Sequence, residues 1–258
     1  MRWIRFSSNG KTAYGILEGD RILEVTGTPF GSHRRTKRTH ALADVKIEIP
    51  VVPPTFYAAG RNYVVHTKEM LGAEHIPKQP DAAYRGPGSL IPTGEPVVIP
   101  RSCGGILEYE GELVAVIGKK ARNLSEQDAL SCVLGYTIGN DVSERNWQRT
   151  DRTNWRAKNS DTFNPMGPWI ETDVRLDALE TRVRVNGVEQ IRFPTNDMLF
   201  GVATFISAIS SYMTLYPGDV VWMGTDGVSP PIRDGDVVEI EISGIGTLRN
   251  PFVGEAAA

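Results

Sequence analysis

The sequence is poor in cysteine and histidine and contains no long apolar run. Its two cysteines, Cys103 and Cys132, stand far apart among 258 residues, which excludes a disulfide framework or a thiolate metal site. Read as free thiols, they point to a reducing, cytoplasmic setting. No stretch approaches the roughly 18 consecutive apolar residues that span a bilayer. The opening MRWIRFSSNGK lacks the apolar segment of a signal peptide, so a soluble protein with no membrane partner is expected. Neither sign of charge dominates: the net charge is −3, giving no global attraction to nucleic acid. The basic run around Arg34, Arg35, Lys37 and Arg38 reads as a solvated loop.

What is present is a chain of short elements. Arg2–Phe6, Thr12–Leu17 and Arg21–Glu24 read as strands separated by Asn9-Gly10 and Gly19-Asp20 turns. The prolines at 50, 53 and 54 close a small N-terminal β subdomain over 1–53, leaving 54–258 as the main domain. In that domain strands are expected at Phe56–Gly60, Leu107–Gly118, Gly135–Asn140, Val220–Thr225 and Val237–Ile242, with a hairpin over Thr181–Ile191 turning at Asn186-Gly187. Helices are expected over Tyr63–Leu71, Ser125–Val133 and Val142–Arg149. A longer one is capped by Asn196, with Leu199, Val202, Phe205, Ile206, Ile209 and Met213 on one stripe. Many strands and few helices predict an α+β, mainly β fold.

The chemistry gathers in Glu108-Tyr-Glu110-Gly-Glu112-Leu-Val-Ala-Val-Ile. Alternate residues of a strand share a face, and alternation alone fits the wet face of a half-buried strand. The apolar run that follows carries the strand into the core, where two carboxylates ~4 Å apart repel by ~4 kcal/mol at an effective dielectric near 20. A hard divalent cation with oxygen ligands offsets that repulsion. With no histidine or cysteine beside them, Mg²⁺ or Mn²⁺ suits the site better than zinc, and Ca²⁺ fits the same donors. Asp141 is the natural third ligand, although with Glu144 it also reads as a helix capping box. Asp141, Arg145 and Gln148 then fall on one helix face, either an anion-reading surface or a solvated one. His66 and Glu69, three apart on the first helix, can pair so that the carboxylate orients the imidazole, or be an ordinary surface pair.

The ordered motifs Gly60-Arg-Asn-Tyr63-x-x-His66-x-x-Glu69, Tyr109-Glu-Gly-Glu112-Leu, Gly135-Tyr-Thr-x-x-Asn-Asp141-Val-Ser-x-Arg145-x-x-Gln148 and Ala157-Lys158-Asn-Ser-Asp161-Thr162-Phe-x-Pro165-x-Gly167-Pro168-Trp169 resemble the fumarylacetoacetate hydrolase family. Met223-Gly-Thr225, Gly235-Asp236-Val-Val and Gly244-Ile-Gly-Thr-Leu-Arg-Asn250-Pro251 extend the resemblance to the end of the chain. It implies a mixed β-roll with peripheral helices and a homodimer. It also implies Mg²⁺ or Mn²⁺ on Glu110, Glu112 and Asp141. By the same resemblance His66, Glu69 and Lys158 are catalytic, and Arg61, Arg85, Arg145, Gln148, Thr162 and Thr225 contact substrate.

The activity implied is hydrolytic carbon–carbon cleavage of an acylpyruvate-like or fumarylacetoacetate-like 1,3-dicarbonyl 2-oxo acid, by way of an enolate. The alternative is decarboxylation or isomerisation of an unsaturated 2-oxo diacid at the same site, as in aromatic catabolism. Two positions depart from the family pattern. Arg85 stands where many relatives have lysine, and Thr225 is followed by Asp226-Gly227 where Gly-Thr-Pro is usual. Arg85 keeps the charge but replaces a point charge with a planar fork, and Asp226 is expected to bring a negative group near the pocket.

Overall fold

The computed structural model describes residues 1–256. The fold is mainly β. Twelve strands form one large sheet, five form a second, and Leu107–Glu108 pairs with Ser143–Glu144 as a separate ladder. Four α-helices lie at the periphery: α1 (Val64–Leu71), α2 (Glu126–Ala129), α3 (Arg145–Thr150) and α4 (Val202–Tyr212). No helix among the described residues is long and apolar enough to cross a membrane.

The N-terminal strands Arg2–Ser8, Lys11–Glu18, Arg21–Gly27 and His33–Ala41 form an antiparallel meander. The first of them pairs with Asn164–Glu171 through Arg2 and Trp3 opposite Glu171 and Ile170. The large sheet therefore runs unbroken from this meander into the main domain. The basic run is not a solvated loop but the strand His33–Ala41 at one edge of the large sheet. Arg38 and His40 both bond the carboxylate of Glu24 on the neighbouring strand. Charged edges of this kind discourage further strand addition.

The strand Gly111–Ile117 lies between Val133–Asn140 and Val220–Trp222 and is buried at every residue. That burial explains why Leu113–Ile117 is apolar on both faces. Its strand does not extend back to Leu107: Tyr109 and Glu110 lie between two separate ladders. Asn140 Oδ1 accepts the Glu110 N–H, and the Glu110 carbonyl accepts the Asp141 N–H.

The hairpin Glu180–Val185 and Val188–Pro194 turns at Asn186 and Gly187, both with positive φ, as a type I′ turn demands. Ser125 caps α2 by accepting the Asp128 N–H, but α2 is short and passes into a 3₁₀ turn. Helix α4 starts at Val202 after Gly201 rather than after Asn196, and buries Val202, Phe205, Ile206 and Ile209. Leu199 lies before it and hydrogen-bonds through its N–H to the Asn62 carbonyl.

Gly139 faces Glu112 across the central ladder, and a Cβ there would lie 2.4 Å from the Trp222 ring. Trp222 is fully buried, so it has no room to retreat. Gly139→Ala is expected to lower stability by about 1–3 kcal/mol through overpacking, read as a lower urea midpoint with an unchanged m value.

Candidate metal centre

Glu110, Glu112 and Asp141 bring carboxylate oxygens within 4.8 Å of one another. None is more than 5% exposed. Glu110 lies at the break between ladders, Glu112 on the central strand, and Asp141 just after Asn140 ends its neighbour. Asp141 does not begin a helix. Helix α3 starts at Arg145 and its cap is Glu144, which accepts the Trp147 N–H at 2.6 Å. The Asp141–Glu144 capping box is absent because the ladder Leu107–Glu108 with Ser143–Glu144 intervenes.

Three cations surround the cluster. Lys158 Nζ lies 2.6 Å from Glu110 Oε2 and 2.7 Å from Asp141 Oδ2. Arg85 grips Asp141 with both sides of its fork, Nη2 at 2.9 Å and Nε at 3.3 Å, a bidentate contact that lysine cannot make. Arg145 spans Glu108 at 2.6 Å and Glu110 at 2.7 Å, and donates to Gln148 Oε1 at 2.7 Å. Asn164 donates to Asp141 Oδ1 at 3.0 Å.

Glu112 differs from the other two acids. It accepts the Gly224 N–H at 2.8 Å and, among the described residues, forms no direct ion pair, Lys158 acting on it only from a distance. Burial and the charges of Asp141 and Glu110 push its carboxyl well above the usual range. Burial acts on Glu110 in the same direction, yet Lys158 and Arg145 outweigh it and hold Glu110 below its ordinary value. Arg85 and Lys158 likewise outweigh burial at Asp141. Four buried carboxylates, counting Glu108, thus face three buried cations, Arg85, Arg145 and Lys158. The extra carboxyl group, which a cation would ionise, and the all-oxygen donor set fit a hard divalent cation.

The cluster opens on a cleft of about 510 Å³. His66 on α1 projects into it with Nε2 3.9 Å from Glu110 Oε1. Arg61, Arg85, Glu110, Glu112, Arg145, Gln148, Lys158 and Thr225 also line it. Two sequence candidates are placed elsewhere. Thr162 Oγ1 accepts the Val98 N–H away from the cleft lining. Glu69 is exposed on α1 and makes no hydrogen bond to His66. The imidazole Nδ1 instead lies 2.6 Å from the Gly227 carbonyl. Asp226 does not line the cleft; its Oδ1 accepts the backbone N–H of His66 at 3.1 Å.

Sequence reasoning missed Asn164, Asp81 and Arg149. Asn164 sits inside a recognisable motif, but only the fold brings it to Asp141, and Asp81 is recruited by Arg61 at 3.2 Å. Arg149 extends the polar wall from the last turn of α3.

The family model described as fumarylacetoacetate (FAA) hydrolase C-terminal matches residues 55–253. The chain belongs to this family of enzymes. A second model, Rv2993c-like N-terminal, matches residues 1–50 of this family member. The solved structure of 5-carboxymethyl-2-hydroxymuconate delta-isomerase from Mycobacterium smegmatis is 37% identical, with a TM-score of 0.90 covering 99% of this chain and 100% of that one. Oxaloacetate tautomerase YisK of Bacillus subtilis is 34% identical over 223 residues, 82% of this chain and 74% of the relative. Maleylpyruvate hydrolase from Sphingobium sp. SYK-6, solved with manganese(II) and pyruvate, is 26% identical with a TM-score of 0.80, covering 99% and 100% of the two chains. The mainly β architecture of the family, with an N-terminal subdomain, is the one observed here.

Proposed function

We propose that the chain is a divalent-metal-dependent hydrolase that cleaves a carbon–carbon bond of a 1,3-dicarbonyl 2-oxo acid. The observation that carries the reading is the buried carboxylate cluster, with one more carboxyl group than the cations around it, at the floor of a cleft that His66 overlooks. Glu110, Glu112 and Asp141 would hold Mg²⁺ or Mn²⁺, and the manganese in the maleylpyruvate hydrolase relative supports that assignment. When bound, such a cation supplies Lewis-acid polarisation of the 2-oxo group.

The rest is the work of the chain's own residues. In the neutral imidazole, donation of Nδ1–H to the Gly227 carbonyl leaves Nε2 as the basic nitrogen facing the cleft. Nε2 takes a proton from water, and the hydroxide adds to the distal carbonyl carbon. The carbon–carbon bond breaks, the distal fragment leaves as a carboxylic acid, and its bonding electrons pass to the 2-oxo acid fragment as an enolate. His66 returns the proton to the enolate carbon, giving the second acid. Lys158 stabilises the developing negative charge. Arg61, Arg145, Gln148 and Thr225 fix the substrate carboxylate and carbonyl groups, and two copies of the chain form a homodimer.

One observation favours a second reading. Glu69 is exposed and does not hydrogen-bond the imidazole, so a neutral carbonyl rather than a carboxylate backs Nδ1 and strengthens His66 less as a base toward water. Enolisation alone, as in isomerisation, tautomerisation or decarboxylation of a 2-oxo diacid, asks less of that base, and both an isomerase and an oxaloacetate tautomerase are among the relatives. The two readings part on products. Incubation with acylpyruvates, oxaloacetate and unsaturated 2-oxo diacids, with Mg²⁺ or Mn²⁺, is expected to release two acids from an acylpyruvate. Carbon dioxide release, or a shifted double bond with no second acid, would favour enolisation without hydrolysis.

A further inference from the structure

The loop after the strand Val220–Trp222 reaches α1 from about 160 positions away in the chain and holds His66 at two points. Asp226 Oδ1 accepts the backbone N–H of His66 at 3.1 Å. The next residue, Gly227, accepts from Nδ1 of the same imidazole at 2.6 Å. The first contact acts on the helix and the second on the ring.

The local chemistry explains both. Helix α1 begins after Tyr63, whose side chain makes no capping hydrogen bond. The first N–H groups of a helix have no partner within it, and His66 is the third residue of α1. A side-chain oxygen normally supplied by the residue preceding the helix comes here from Asp226. At Gly227 the backbone has φ +69, and a Cβ would lie 2.0 Å from Ile191 Cδ1. The left-handed backbone favours glycine there, so the carbonyl that receives Nδ1–H is set by the loop's own conformation. Asp226 is half-buried and lies outside the cleft lining. Its role therefore differs from that of the residues that touch substrate.

We infer that Asp226 is a positioning residue: it latches the N-terminus of α1 to the loop that fixes the His66 ring, so that Nε2 is aimed at the carboxylate cluster. The inference rests on the reading of His66 as the base, and names what holds that base in place. Removing the acceptor frees the first turn of α1, and the imidazole then samples orientations in which Nε2 no longer faces the cluster. The carboxylates that would hold the metal keep their places, because none of them hydrogen-bonds Asp226.

The test is hydrogen–deuterium exchange and steady-state kinetics on the full chain with saturating Mn²⁺. The variants are Asp226→Ala and Asp226→Asn, whose amide oxygen still accepts the His66 N–H. For Asp226→Ala, exchange in the peptide spanning residues 63–71 is expected to rise about fivefold or more, the size of effect seen on losing a helix cap. On whichever of acetylpyruvate or oxaloacetate the wild type turns over, kcat is expected to fall about tenfold, with a smaller change in KM. The Mn²⁺-dependent rise in Tm should be unchanged, and Asp226→Asn should restore exchange and kcat to within about threefold. Unchanged exchange in Asp226→Ala overturns the latch, as does an Asp226→Asn variant as impaired as Asp226→Ala. Faster exchange in Asp226→Ala with neither acid turned over by the wild type supports the latch, while counting against the base role of His66.

Discussion

Glu110→Gln and Glu112→Gln are expected to lose activity alike but to change stability in opposite directions. Each removes one of three carboxylates at the proposed metal centre, so each should lower kcat/KM at least a thousandfold, or about 4 kcal/mol of transition-state stabilisation. Each should also erase the rise in Tm on adding Mn²⁺, since a ion that binds only the native state must stabilise it. In the metal-free protein the two diverge. Glu110 bonds Lys158 and Arg145, and its removal leaves both buried cations short of a partner. Breaking a buried pair from one side costs about 3 kcal/mol. Glu112 forms no direct ion pair among the described residues, and Gln keeps the acceptor for the Gly224 N–H. Glu112→Gln should therefore match or exceed the wild type in metal-free stability, read by urea unfolding in EDTA. Equal destabilisation by the two changes would contradict the charge arrangement described above.

The pH dependence carries the same asymmetry. Burial and the charges of Asp141 and Glu110 raise the folded-state value of Glu112 well above that of an ordinary glutamate. The folded protein therefore keeps a proton that the unfolded chain has released. Stability then falls as pH rises above about 4.5 toward the folded value, with a slope of at most about 1.4 kcal/mol per pH unit. Glu110 and Asp141 are lowered instead. Their contribution is present above their unfolded values and is lost as pH falls through the folded ones. Above pH 4.5 the slope of the metal-free protein should be set at this cluster by Glu112, and Glu112→Gln should flatten it. A cation that requires the carboxylate ionised releases its proton on binding, so Mn²⁺ affinity should rise with pH over the same window.

The parts of this site that were legible in the sequence are those set by local chemistry. Asn186-Gly187 specifies a turn because both residues must take positive φ. Ser125 specifies a cap because its hydroxyl reaches a backbone N–H three residues on. Glu110 and Glu112 draw attention because an apolar strand follows them at once. What escaped depends on contacts far apart in sequence. The basic run at 33–41 is a strand because it pairs with Arg21–Gly27 and because Glu24 takes two of its charges, neither of which its composition reveals. Arg85 reaches Asp141 across 56 positions, so its fork could be noted but its partner could not. The sequence presents Asp226 as a negative charge near the pocket. That it caps a helix 160 positions earlier follows only from how the loop folds back over α1. Glu69 and His66 show the converse: a spacing of three permits a pair, but the nearer Gly227 carbonyl takes the ring nitrogen.

His66→Asn is the second change with a large expected effect, and it separates the base from the metal centre. Nε2 is 3.9 Å from the nearest carboxylate oxygen of Glu110, so His66 is not needed to hold that group, which keeps Lys158 and Arg145. Asn retains a side-chain N–H for the Gly227 carbonyl but presents no basic nitrogen to the cleft. The expected result is a loss of about 10²–10⁴ in kcat, the usual contribution of a positioned general base. The Mn²⁺-dependent rise in Tm should be preserved, because neither charge nor geometry changes at the three carboxylates. The size of the loss also bears on the reaction. Hydrolysis needs the base to activate water as well as to manage the enolate proton, so it should suffer near the upper end of that range. Tautomerisation of oxaloacetate needs proton transfer alone and should suffer less. A His66→Asn variant that turns over acylpyruvate at the wild-type rate would place the base elsewhere in the cleft. One that loses the Mn²⁺ effect on Tm would place His66 among the metal ligands.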